Sequence, residues 1–120
     1  MSDENEIKEL VVRLGYDQDL RPVSFRGREL CVISTRTTQG PNQNRWHEYV
    51  LFKTPKGFRV LDSYCTQWEG ESGHTKMSEQ INAKSVMMNY PRIANEAVDR
   101  GFIDEKDVRL TPEEYKALQD

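Results

Sequence analysis

Hydrophobic residues near the start of the chain recur with the spacing of an amphipathic helix. Those that follow the i, i+3, i+4, i+7 pattern are Ile7, Leu10, Val11 and Leu14. Asp3 with Glu6 is typical of a helix capping box, and Gly15 suits the position just beyond a helix C-terminus. The sequence therefore predicts an N-terminal helix whose apolar stripe covers another element.

Three later segments have the composition of β-strands. Residues 24–38 are rich in β-branched side chains, and residues 45–53 and 58–68 flank a turn that reads Thr-Pro-Lys-Gly. A proline followed two residues later by glycine indicates a type I turn closed by a bulge, which would pair Thr54 with Phe58. We expect these three strands to form an antiparallel β-meander.

The predicted pairing sorts the second and third strands into an apolar face and a cationic face. Phe52 would oppose Val60, and the face that they share collects most of the large side chains of both strands. Its members are Trp46, Val50, Phe52, Phe58, Val60, Tyr64 and Trp68. On the other face Lys53 would oppose Arg59. We expect the first face to be core and the second to be open to solvent.

Helical patterning returns after a polar connection over residues 69–75. Asn82 is placed to cap a short helix, the Tyr-Pro pair at 90–91 interrupts it, and Thr111 is placed to cap the last helix. The full prediction is a single α+β domain over residues 1–120. It has an N-terminal helix, a three-stranded antiparallel β-meander and C-terminal helices packed on one face of the sheet.

Charge is distributed unevenly along the chain. Residues 21–60 contain eight Lys or Arg against two acids, a balance of +6, whereas residues 1–20 and 61–120 carry −4 and −5. The whole chain therefore has a net charge of −3. Because the basic stretch coincides with the predicted sheet, its open face is a candidate binding surface.

Composition favours a soluble protein of the cytoplasm. The N-terminus lacks the basic and apolar regions of a signal peptide, and no segment approaches the roughly 20 apolar residues of a membrane span. No membrane partner is expected. Two cysteines in a chain of 120 residues do not make a disulfide framework, so we expect both to be thiols.

Candidate catalytic and metal-binding residues are few. His47 and Cys65 would be cross-strand neighbours in the predicted register, and a thiol beside an imidazole is the pairing of a thiolate nucleophile. With Cys31 and His74 they would also supply the ligand types of a zinc site, but no characteristic spacing supports it. We expect no catalytic residue, metal or cofactor.

The leading functional hypothesis is a small non-enzymatic accessory or regulatory module that binds another macromolecule, in the first place a protein. The residues expected to contact the partner are Arg45, His47, Tyr49, Lys53 and Arg59. One alternative is a nucleic-acid-binding protein that uses the same basic face, and another is a small enzyme with a Cys/His site. A homodimer contact through the helices around Met87 and Ile93 is a further alternative. Residues 46–58 have the general pattern of hairpins in small prokaryotic or phage proteins, and the sequence indicates no family.

Overall fold

In the computed structural model, which describes residues 6–36 and 44–118, the chain begins with a strand. Five antiparallel strands within these ranges form a closed barrel in the order β1-β2-β3-β4-β5. Their bounds are β1 (Lys8–Tyr16), β2 (Arg21–Ser34), β3 (Arg45–Thr54), β4 (Gly57–Thr66) and β5 (His74–Gln80). The barrel closes where Gly15 and Tyr16 of β1 pair with Thr75 and His74 of β5. The predicted three-stranded meander is therefore wrong, because the sheet has two further strands.

Four short helices follow the strands within residues 44–118. Their bounds are α1 (Ala83–Asn89), α2 (Pro91–Asp99), α3 (Glu105–Val108) and α4 (Pro112–Leu118). Asn82 caps α1 by accepting a 2.9 Å hydrogen bond from the backbone N–H of Ser85. Thr111 and Glu114 accept each other's backbone N–H at the start of α4. These two predicted caps are confirmed. None of the helices in the described ranges has the length and apolar character needed to cross a bilayer.

The predicted N-terminal helix is wrong, because its residues form β1. Leu10 pairs with Phe25 and Val12 with Val23, so alternate residues of β1 face the barrel interior. The segment also contains an alternating apolar set, Leu10, Val12 and Leu14, which is the part-buried one, whereas Val11 of the helical set is 61% exposed. Pairing with the long strand β2 decides between the two patterns. Gly15 is not a helix cap. Its φ of +121° bends the end of β1, where a side chain would lie 2.8 Å from the carbonyl oxygen of Asp19.

The predicted hairpin register is wrong by one residue. Thr54 pairs with Gly57 across the two-residue connection, so Phe52 faces Arg59 and Leu51 faces Val60. No bulge forms, because Gly57 is already the first residue of β4. A side chain there would clash with the carbonyl oxygen of Gln80 at the end of β5. A shift of one residue on one strand exchanges its faces, so the expected separation of an apolar from a cationic face does not occur.

The core has two parts, on opposite faces of the sheet. Leu51 and Val60 are fully buried on the outer face, where they pack with Val86 of α1 and Ile93 of α2. The inner face fills the barrel, and there the rings of Phe25 and Phe52 meet edge to face at 5.1 Å. Phe52 and Val60 are therefore both buried, as the sequence indicates, but on opposite faces. Met87 and Ile93, the alternative homodimer contact, are buried in the chain's own core.

Candidate binding face

Six aromatic or imidazole rings form a continuous row on the outer face of the barrel. In spatial order they are Tyr16, His74, Tyr64, His47, Tyr49 and Tyr90, and we call this set the ring row. The centroids of consecutive rings lie 5.4 to 6.0 Å apart. This spacing is within the range of favourable ring-to-ring contacts. Both histidines of the chain belong to the row.

The strand register explains how residues distant in sequence reach one row. Tyr16 of β1 pairs with His74 of β5, which pairs with Tyr64 of β4, and Tyr64 in turn pairs with His47 of β3. Directly paired residues point to the same face, with Cβ atoms about 5 Å apart. Tyr49 lies two residues beyond His47 and so shares its face. The row therefore depends on closure of the barrel.

The helices leave part of the ring row uncovered. Tyr16 is 61% exposed, and the side chain of His47 is 41% exposed. Tyr90 joins α1 to α2, so the row ends where the helix layer begins. Trp68, which follows β4, is 52% exposed and has the guanidinium of Arg45 5.3 Å from its ring centroid. Arg45, which lines a cavity with His47, Tyr49 and Tyr64, thus links the row to Trp68.

His47 is fixed at the centre of the row by polar contacts on two sides. Its Nδ1 lies 2.8 Å from Oδ1 of Asp62, a buried carboxylate. Its backbone N–H donates to Oγ1 of Thr35 at 3.0 Å. Burial, followed by the charge of Asp62, raises the pKa of the neighbouring Tyr49 hydroxyl. Tyr49 consequently stays protonated at neutral pH and can donate a hydrogen bond to a bound molecule.

Arg45 forms the charged border of the row. Its Nε donates to Oε1 of Glu71 at 3.0 Å, and the Thr66 hydroxyl donates to the same oxygen at 2.7 Å. The hydrogen bonds from Arg45 and then from Thr66 lower the pKa of Glu71 to about 2, and the Glu71 hydrogen bond raises the pKa of Arg45. Both groups are therefore charged at neutral pH. They tie the start of β3 to the loop after β4.

A shallow cavity of about 420 Å³ opens beside the row. Its walls include the rings of His47, Tyr49 and Tyr64 together with Arg45 and Arg92. At its border the guanidinium of Arg36 lies 4.2 Å from the ring centroid of Trp46. Rings and guanidinium groups at one cavity can hold a planar or an anionic group of a partner.

The structure brings together three of the five residues predicted to bind a partner. Arg45, His47 and Tyr49 lie side by side at the row. Lys53 is on the same strand face but beyond buried Leu51, where its Nζ donates to the carbonyl oxygen of Gly57 at 3.2 Å. Arg59 is on the inner face, where it pairs with Glu79 at 2.9 Å and lies 5.0 Å from the ring centroid of Phe25. The five residues therefore do not form a continuous cationic face.

Sequence reasoning missed four residues of the ring row. The pattern places His74 in the polar connection over residues 69–75, Tyr64 on the buried face and Tyr90 at a helix break, and it leaves Tyr16, just beyond the predicted helix, outside every strand. One available signal is the polar alternation of residues 74–80, which reads His-Thr-Lys-Met-Ser-Glu-Gln and forms β5. Its low hydrophobicity hides it from a search for β-branched runs.

The structure does not assemble the Cys/His pair. Cys65 pairs with Trp46, and so it lies on the face opposite to His47. Burial raises the pKa of both Cys31 and Cys65 to about 11, and both are free thiols. They are therefore poor nucleophiles at neutral pH. Among the described residues, no group of three or more His, Cys, Asp or Glu side chains is placed to hold a metal ion.

Comparisons with known proteins add no further constraint. A scan against protein-family models, a search of curated proteins and a search of solved structures each found no match to this chain.

Proposed function

We propose that the protein is a small accessory or regulatory module that binds another protein through the ring row and the adjoining side chains of Arg45 and Trp68. The continuous row of half-exposed rings carries this proposal. Tyr, Trp and Arg are the residues that dominate the binding energy of protein interfaces, because each supplies a large contact area at a modest entropic cost. Here they occur together on and beside one face of the sheet.

The local charges favour a protein over a nucleic acid as the partner. Glu71 already neutralises Arg45, and the carboxylate of Asp62 lies beneath the row. Protein cations gain affinity for nucleic acid by displacing the counterions of its phosphates. Carboxylates at the same surface reduce this gain in affinity. A mixed surface of rings, paired charges and hydroxyl groups fits the polar and aromatic surface of another protein.

Binding of single-stranded nucleic acid is the second candidate. The cavity of about 420 Å³ supports it, because Arg45 and Arg92 line that cavity together with the rings of Tyr49 and Tyr64. Bases stack on exposed rings, and guanidinium groups contact phosphates. Such binding would weaken steeply as the salt concentration rises.

The proposal predicts that removing the two most exposed rings of the proposed binding face abolishes partner capture. A double variant, Tyr16→Ala with Trp68→Ala, should keep the fold, because both side chains are more than half exposed. An interface ring commonly costs about 2 kcal/mol or more when truncated, so partner affinity should fall at least roughly 30-fold. A pull-down from the native host identifies the partner, and calorimetry with the purified partner measures the loss.

Tyr115→Ala is the matched control, because Tyr115 is 57% exposed on α4 and lies outside the row. It should bind the partner like the wild type. Equal affinity of the double variant and the wild type would refute the proposal. Loss of salt-sensitive nucleic acid from the double variant, without loss of a protein, would favour the second candidate.

A further inference from the structure

A second surface lies at the other end of the helix layer. A groove of about 690 Å³ opens between the β3–β4 turn, the start of α1 and the turn after α2. We call it the lysine groove, because four of its lining residues are Lys53, Lys56, Lys84 and Lys106. Its volume is typical of a site that encloses part of a bound molecule.

Two exposed apolar side chains lie at this groove. Ile81 is 78% exposed and Phe102 is 43% exposed. Ile81 sits between Gln80, whose side chain accepts hydrogen bonds within the fold, and the helix cap Asn82. Single exposed apolar residues are ordinary on a protein surface, but two that line one groove provide a site for an apolar group.

The charge of the groove is positive. Four lysines line it against Asp104 and Asp107, a difference of +2, which falls to +1 when Glu114, paired with Lys84 at 2.9 Å, is included. Asp104 caps α3 by accepting a 3.0 Å hydrogen bond from the backbone N–H of Lys106, so its carboxylate is already engaged. Within the part of the chain that the structure describes, neither Lys56 nor Lys106 has an ion-pair partner. These two ammonium groups are available to a bound carboxylate.

We propose that the lysine groove binds an acidic peptide segment that carries a bulky apolar side chain. Charge complementarity selects the acidic residues, which would pair with Lys56 and Lys106, and the apolar side chain would pack on Ile81 and Phe102. Because aspartate and glutamate flank the apolar anchor, a basic or an uncharged peptide of the same shape binds weakly.

The lysine groove is separate from the ring row. Helix α1 has its cap, Asn82, at the groove, and it ends at Tyr90, which belongs to the row. A helix of that length spans about 10 Å, and buried Leu51 and Val60 lie on the sheet beneath the helices. The groove therefore adds a second binding activity and does not depend on the function proposed for the row.

Fluorescence polarisation with the full chain tests this proposal. The probe is a short labelled peptide of glutamate and aspartate around one leucine and one phenylalanine. It should bind saturably, and Lys56→Glu with Lys106→Glu should weaken binding roughly tenfold or more. Ile81→Ser with Phe102→Ser should also weaken it. The control Lys8→Glu with Lys116→Glu makes the same change in net charge at exposed lysines elsewhere, and it should bind like the wild type.

Three outcomes would overturn the proposal. One is the absence of saturable binding by the wild type up to about 1 mM peptide. Another is equal weakening by the control, which would indicate general attraction between charges. The third is self-association in sedimentation velocity that the Ile81 and Phe102 changes abolish, which would make a second copy the occupant. The Tyr16→Ala and Trp68→Ala variant should keep full peptide affinity, so failure at one surface is distinguishable from failure at the other.

Discussion

Arg45 joins the start of β3 to the loop after β4 through its contact with Glu71. Neither side chain is deeply buried, yet each has several partners, because the guanidinium also lies over Trp68 and the carboxylate also accepts from Thr66. The pair therefore orders the border of the ring row. An exposed charged pair adds little to overall stability, so its main effect here is to hold neighbouring side chains of the binding face in position.

This contact predicts an unusual titration of Glu71. The pKa of its carboxyl is about 2 in the wild type, and Arg45→Ala, which removes the largest cause of that shift, should return the value toward the ordinary glutamate value of about 4.3. NMR of the side-chain carboxyl measures both. Lys56→Ala, which removes a cation at the lysine groove, should leave Glu71 unchanged.

The sign of the effect on stability follows from this depressed pKa. The folded state prefers the ionised carboxylate, so the contribution of Glu71 is present above its unfolded pKa. It is lost as the pH falls toward about 2. Acid unfolding of the wild type should therefore include a component over this interval that is smaller in Arg45→Ala, where the Thr66 hydrogen bond remains. An unchanged Glu71 titration in the variant would show that Arg45 is not the cause.

At the scale of elements, the hairpin of β3 and β4 depends on the lack of a side chain at Gly57. A Cβ there would clash with the carbonyl oxygen of Gln80 and lie 2.8 Å from that of Ile81. Both are backbone atoms that cannot move without disturbing the end of β5. Gly57→Ala should therefore destabilise the fold by about 1 to 3 kcal/mol.

Thermal or urea unfolding measures this loss. Lys56→Ala is the matched control, because Lys56 is exposed in the same turn and its truncation should change the free energy of unfolding by less than about 0.5 kcal/mol. Equal stability of the two variants would mean that β5 does not approach Gly57.

The same hairpin shows what the sequence can and cannot predict. Elements with a local signal could be predicted. Strands β2 to β4 and their order follow from β-branched residues and turn residues. The caps of α1 and α4 follow from an amide and a hydroxyl side chain. The register was not predicted, because the sequence Thr-Pro-Lys-Gly over residues 54–57 is compatible with a two-residue turn and with a three-residue turn. The two-residue turn that forms brings Gly57 against the carbonyl oxygen of Gln80 in β5, a contact that no local pattern includes.

Long-range pairing also explains the errors in the candidate site. The helical pattern of residues 7–14 is a local preference that pairing with β2 overrides. Once β1 and β5 are missing from the prediction, Tyr16 and His74 have no strand to place them beside Tyr64. The sequence identifies three binding-face residues, Arg45, His47 and Tyr49, because all three lie on β3. The ring row crosses four strands and depends on closure of the barrel, which no local pattern encodes.

At the scale of the whole molecule, the barrel has one short seam. Strands β3 and β4 pair along their whole length, whereas β1 pairs with β5 only through Gly15 and Tyr16. Local opening requires least free energy where few backbone hydrogen bonds and little buried surface must be disrupted. Hydrogen exchange should therefore be fastest among strand amides at this seam and slowest around Leu51.

The seam also links stability to binding, because Tyr16 reaches the ring row only across it. In Gly15→Ala the new side chain would meet the carbonyl oxygen of Asp19 at a φ of +121°, which L residues rarely adopt. Exchange at the seam should accelerate while β3 and β4 keep their protection, and affinity for the ring-row partner should fall although no row residue has changed. Peptide binding at the lysine groove should not change, since the groove lies at the β3–β4 turn, the helices and Ile81, which follows the end of β5 opposite to the seam. Uniformly faster hydrogen exchange across β3 would instead mean that the barrel opens as a single cooperative unit. Opening of the seam would then not change the affinity of the ring row independently of global unfolding.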